Sequence, residues 1–152
     1  MGTLPERICF QHHGKRYAVV HGAASAINRF MWPTFDDATV DAEITQLIAQ
    51  VGEIDCVIAG HTGMAFERSV GVRRWINAGA IGLPPNDGGQ STEFITLTEG
   101  QVTRHQLSYD ADEAALQMQR AGLVQGYHKT LLDGFWPSED VLPMNMRRTR
   151  KA

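Results

Sequence analysis

Two short stretches hold the residues whose types and spacing could do chemistry. The run YAVVHG (17–22) ends in His21-Gly22, and the run CVIAGH (56–61) ends in Gly60-His61, followed by Thr62-Gly63. Each is an apolar, strand-like run closing on a histidine with a glycine beside it. Imidazole nitrogen is a good ligand for Zn, Mn or Fe. In α/β folds, sites collect where strands end and loops begin. Glycine lets the backbone turn sharply there and leaves space for an ion or ligand. Two loop histidines at adjacent strand ends could therefore share one metal. The other reading is that each histidine caps its own strand end by hydrogen bonding. Two imidazoles alone are a poor metal site, because such centres need three or four ligands and outer partners.

The nearby carboxylates offer no obvious completion, and one candidate. Asp36 and Asp37 read as helix caps and Asp55 as a strand start, which leaves Asp87 in the Gly- and Pro-rich loop 79–90. His12 and His13 fall in a turn and read as solvated, while His105 lies on a hairpin strand and His128 on a helix. Other site classes are excluded. The chain has no Gly-x-Ser-x-Gly elbow and no phosphate-binding Gly-x-x-x-x-Gly-Lys-Ser/Thr loop. Cys9 and Cys56 belong to no Cys-x-x-Cys pair and read as reduced core residues, with Cys56 too deep in its strand for a nucleophile. Arg73 and Arg74 flank Trp75 and read as packing.

The elements that must position these residues follow from the pattern. Residues 6–10 and 16–20 read as a hairpin around His12–Lys15, and 25–31 as one short helix. Val40, Ile44, Leu47, Ile48 and Val51 form an amphipathic stripe, so a helix starts at an Asp36 or Asp37 cap and ends at Gly52. Residues 54–59 read as a buried strand, and a helix leading straight into such a strand implies a sheet covered by helices. Strands are expected at 66–70 and 73–77 around Gly71, then a hairpin at 92–98 and 101–107 around Glu99-Gly100. Helices follow from Asp110 to Gly122 and over 126–133, ending at Gly134, and 137–152 reads as an extended, partly ordered tail.

Composition bounds the rest. The 152 residues suit one domain, and 43% hydrophobic with 20% charged residues is an ordinary globular balance. A formal net charge of −3 gives no broad cationic surface for nucleic acid, and the basic run Arg147–Lys151 reads as a solvated tail. No apolar run approaches the ~18 residues of a membrane span, and the start MGTLPERI lacks a signal-peptide core. Glu6 stands where a myristoylation motif wants Ser or Thr. A cytoplasmic protein that binds neither membrane nor nucleic acid is the expectation.

The order VVHG, helix, DCVIAGHT, WINAGAIG resembles the C-terminal half of the calcineurin-like metallophosphoesterase superfamily, in its small bacterial phosphodiesterase-type branch. In that family one strand ends in His-Gly, a later one in Gly-His-Thr-His, and a short one in Asn-Pro-Gly-Ser. Here the last reads Asn77-Ala78-Gly79-Ala80, and YDADEAALQMQRAGL resembles the family's C-terminal helix. The resemblance implies part of a four-layer α-β-β-α sandwich, with one mixed sheet and covering helices. Residues 1–135 would be the C-terminal half of such a domain and 136–152 a tail.

The resemblance also implies a function, the metal-dependent hydrolysis of phosphate mono- or diesters. His21 and His61 would be ligands to the second ion of a two-metal centre of Mn, Fe or Zn that clamps a phosphate ester. Gly22, Gly60, Thr62 and Gly63 would shape the site loops, Asn77 with Gly79 the loop behind them, and Asn86 with Asp87 a substrate-side wall. Two departures stand out. Gly63 occupies the place of the family's second loop histidine, a ligand to the first metal. The chain also has no Asp-x-His, no Gly-Asp and no Gly-Asn, so the family's N-terminal motifs are absent and no catalytic residue is identifiable. The expectation is an incomplete chain, inactive or very weak alone, whose open sheet face is covered by a missing N-terminal half or by another copy. The rival expectation is a non-catalytic module of the same fold that binds a partner or itself.

Overall fold

The computed structural model describes residues 4–148. β1 (Arg7–His12) and β2 (Lys15–Val20) form the expected hairpin, with a turn at His13-Gly14. The chain then crosses through α1 (Asp37–Val51) to β3 (Cys56–Ala59), which lies parallel to β2. β4 (Ala65–Val70) and β5 (Arg73–Ala78) make a second hairpin, and β5 joins β3 in parallel. The result is a five-stranded mixed sheet in the order β1-β2-β3-β5-β4.

The pleat sends alternate residues to opposite faces. Ala18, Val20, Val57, Ala59 and Trp75 face α1, whose Val40, Ile44 and Leu47 close that core. Asp36 starts α1 because its side chain accepts from the Thr39 amide, and Gly52 ends it with an amide bonded to the Ile48 carbonyl. On the other face Tyr17, Cys56 and Ile76 meet Ile95, Leu97 and Val102 of the hairpin β6 (Thr92–Thr98) and β7 (Gln101–Leu107). The expected mixed sheet with a covering helix is present, with α1 on one face. The second face is covered by a two-stranded sheet, since Ile95 and Leu97 of β6 and Val102 of β7, paired with Leu97, present one apolar patch to it. α2 (Ala111–Arg120) and α3 (Tyr127–Asp133) pack against each other.

Three expectations change. Residues 25–31 form turns and no helix, because Ser25 donates its amide and hydroxyl to the buried carboxylate of Glu43, which also pairs with Arg29 at 2.8 Å. Those long-range bonds outweigh local helix propensity. Cys9 is exposed, since β1 is an edge strand with one side facing solvent, whereas Cys56 is buried; both thiols are free. The C-terminal segment is packed down. Trp136 and Leu142 are buried in a cluster with Trp32, and a 3-10 turn spans Met144–Met146. Arg147 donates to the Leu142 and Asp140 carbonyls, and Arg148 pairs with Glu139 and lies 4.2 Å from the Phe135 ring centre. The remainder of the predicted basic tail, 149–152, lies outside the described residues.

Candidate metal centre

Three adjacent parallel strands, β2, β3 and β5, end side by side, and their C-terminal ends carry the site. His21 directly follows β2, Gly60-His61 follows β3, and Asn77 and Gly79 bracket the end of β5. The Gly60 amide donates to the His21 carbonyl at 2.8 Å, which carries the β2–β3 ladder one step past the strands. The two histidines are thereby brought together: His21 Nε2 lies 3.1 Å from His61 Nδ1, with ring centres 5.0 Å apart.

His61 is held in place on three sides. Its backbone adopts φ 59°, a left-handed conformation that histidine tolerates better than most residues. Phe30 lies against its ring at 4.4 Å between centres. The next residue, Thr62, is fully buried, and its hydroxyl accepts from the Met31 amide at 3.0 Å and donates to the Met31 carbonyl at 2.9 Å. Burial, then the neighbouring His21, hold the His61 imidazole below the ordinary histidine pKa, while a hydrogen bond to the Asn28 backbone acts the other way. A lowered pKa favours the neutral imidazole, the form that binds metals.

Asn77 and Gly79 lie behind the loop. Asn77 is fully buried; its side-chain amide donates to the Gly60 carbonyl at 2.7 Å and its oxygen accepts from the Gly79 amide at 3.1 Å. Gly79 has φ 77°, and a Cβ there would fall 2.6 Å from the Glu93 carbonyl oxygen. Gly22 turns the chain after His21 beneath the carbonyl of Ile27. Asn86 and Asp87 are engaged elsewhere. Asn86 accepts from the Trp136 amide and donates to Glu139, and Asp87 accepts from the Gly89 amide. Sequence reasoning missed Phe30, Trp32 and Trp136. The signal for the last was present, since two aromatic residues, Phe135-Trp136, are unusual at the head of a solvated tail.

The two imidazoles fit a shared cation as two of its ligands. Nitrogens 3.1 Å apart, each ~2.1 Å from one ion, would subtend about 95° at it. The set does not close a site: among the described residues no group of three or more His, Cys, Asp or Glu side chains converges. A Cβ built at Gly63 would lie in van der Waals contact with Trp136 and Leu83, at 3.4 and 3.5 Å, and the φ of 77° there favours glycine.

This fold, a five-stranded mixed sheet with a hairpin on its second face and loops gathered at the ends of three parallel strands, is similar to that of proteins of solved structure. A metallophosphoesterase from Sphaerobacter thermophilus matches with a TM-score of 0.68 at 20% identity, over 88% of this chain and 59% of that one. A hypothetical protein from Pyrococcus horikoshii matches with a TM-score of 0.70 at 16% identity, over 85% of this chain and 50% of that one. The present chain thus spans between half and three-fifths of each. Vps29 from Entamoeba histolytica aligns more loosely, with a TM-score of 0.43 and 18% identity over 72% of this chain and 64% of that one. No family model and no curated protein matches the sequence.

Proposed function

We propose that this chain is the metal-binding portion of a hydrolase of phosphate mono- or diesters, with His21 and His61 as two ligands to one divalent ion, Mn, Fe or Zn. The observation that carries the reading is the 3.1 Å approach of two imidazole nitrogens from the ends of adjacent parallel strands. A bound divalent ion would neutralise charge on a phosphate ester and lower the pKa of water. The residues described do the rest of what this half can do: Asn77 and Thr62 fix the loop. Further ligands must come from outside this set, so the chain by itself is expected to be inactive or very weak.

Calorimetry and thermal melting with Zn²⁺ and Mn²⁺ test the assignment. Metal at about 100 times its Kd should stabilise the fold by about 2.7 kcal/mol. The effect should vanish in His21→Ala and in His61→Asn, the latter chosen because asparagine accepts the left-handed backbone. Binding that survives both substitutions, or absence of binding to the unaltered chain, refutes it. Hydrolysis of bis-p-nitrophenyl phosphate at ordinary enzyme rates by the chain alone would refute the incompleteness.

One observation favours a second reading, a non-catalytic module that uses its fold for docking. Beside His21 the hairpin side of the sheet is open, as a cavity of about 710 Å³ lined by Ile8, Val19, Ile27 and Ile58, with Ile8 and Ile27 more than half exposed. Its occupant in this reading is further polypeptide, of the kind that makes up the rest of the longer solved chains. Sedimentation with a hydrophobic dye decides. A monomer that binds the dye supports this occupant, a reversible dimer replaces it by a second copy, and a monomer that excludes the dye removes the docking face.

A further inference from the structure

The C-terminal segment reaches the candidate centre by a chain of aromatic contacts. Trp136 is buried and held at both ends, its indole Nε1 donating to the Pro84 carbonyl at 2.7 Å and its amide to Asn86 at 2.7 Å. Its ring lies 6.2 Å from that of Trp32. Trp32 stacks on Phe30 at 5.1 Å with the planes 3° apart, and Phe30 lies against His61. The same indole abuts Gly63, two residues beyond His61, where φ is 77°. Trp136 therefore supports the loop of His61 from both sides: directly at Gly63, and through Trp32 and Phe30 at the imidazole. Met31, between those two aromatics, is the residue that Thr62 grips with two hydrogen bonds.

We propose that Trp136 is a positioning residue for His61, so that the C-terminal segment is a built part of the candidate centre. Glycine at position 63 and tryptophan at 136 form one device. A Cβ at 63 would lie in contact with the indole, and loss of the indole would free the loop. The link to metal binding rests on the reading of His61 as a ligand, whereas the link to the His61 ring does not.

Nitrogen-15 NMR of the histidine rings in the metal-free full chain tests the positioning, and calorimetry with Zn²⁺ tests its consequence. Trp136→Ala should move the His61 ring shifts away from those of the unaltered chain, and should weaken Zn²⁺ binding by about tenfold, the scale of losing an outer partner of a ligand. Trp136→Phe should keep most of both. Leu47→Ala, on the α1 side of the sheet, lowers global stability and should leave the His61 signals in place. Unchanged His61 shifts in Trp136→Ala overturn the proposal, as do equal shifts in Leu47→Ala. If the alanine variant does not fold, Trp136→Phe and Trp136→Leu carry the test: a shift in neither overturns it. Absence of Zn²⁺ binding by the unaltered chain refutes the metal reading and leaves the NMR test of positioning standing.

Discussion

Replacing Thr62 by valine removes one hydroxyl and keeps the shape. That hydroxyl accepts from the Met31 amide at 3.0 Å and donates to the Met31 carbonyl at 2.9 Å, in a side chain with no solvent exposure. The variant leaves a buried donor and a buried acceptor without partners. Each such group costs about 1–3 kcal/mol, and relaxation of the 30–32 loop offsets part of the sum, so a loss of about 2–4 kcal/mol is expected. For a chain of this length that is a fall in Tm of roughly 5–15 °C. Thr62→Ser is the matched control: it keeps both hydrogen bonds and loses one methyl group, for about 1 kcal/mol. Urea denaturation of the three proteins gives the comparison, and the His61 ring shifts should change only in the valine variant. The reasoning fails if Thr62→Val costs less than Thr62→Ser, or if the two lower stability equally.

Two other substitutions probe different parts of the fold. Asn77→Asp sets a carboxylate oxygen against the Gly60 carbonyl in place of the amide that donates to it at 2.7 Å, at a cost of about 3 kcal/mol. Because the new carboxyl can donate once protonated, its deficit relative to the unaltered chain should shrink as pH falls; an equal deficit at pH 7 and pH 5 contradicts this. The α1 cap carries the second. Hydrogen bonding from Thr39 holds the Asp36 carboxyl below its ordinary value of 3.8. A lowered folded pKa stabilises above the unfolded value, and the contribution is lost as pH falls from 3.8 through the folded value. Asp36→Asn retains a capping oxygen and should flatten that acid limb while changing little at pH 7; a limb as steep as in the unaltered chain would rule the account out.

Much of the fold was legible because its signals are local. The β6–β7 hairpin was expected at 92–98 and 101–107 and is observed at those bounds. The α1 stripe and its Asp36 cap likewise depend on residues within one helix. The three motifs at the candidate centre were legible for a related reason. A strand that ends in histidine and glycine announces a chain leaving a sheet, whatever lies beside it. What could not be read was anything decided by a partner far along the chain. The expected helix at 25–31 gave way to Glu43, 18 residues from Ser25. Asn86 was expected to face a substrate and instead grips Trp136 and Glu139, 50 and 53 residues away.

The sequence by itself determined the order of elements and the pair of histidines at two strand ends, since both are written in periodicity and in glycine placement. Tertiary structure alone decided that β2 and β3 lie side by side in parallel, which turns two distant histidines into one site with nitrogens 3.1 Å apart. It alone decided that Trp136, 73 residues from Gly63, packs against that glycine in a filled contact. The physical reason is the same in both cases. Backbone conformation and amphipathicity are properties of neighbours in sequence, whereas a shared site or a filled space depends on chain closure over long separations, which local pattern does not encode.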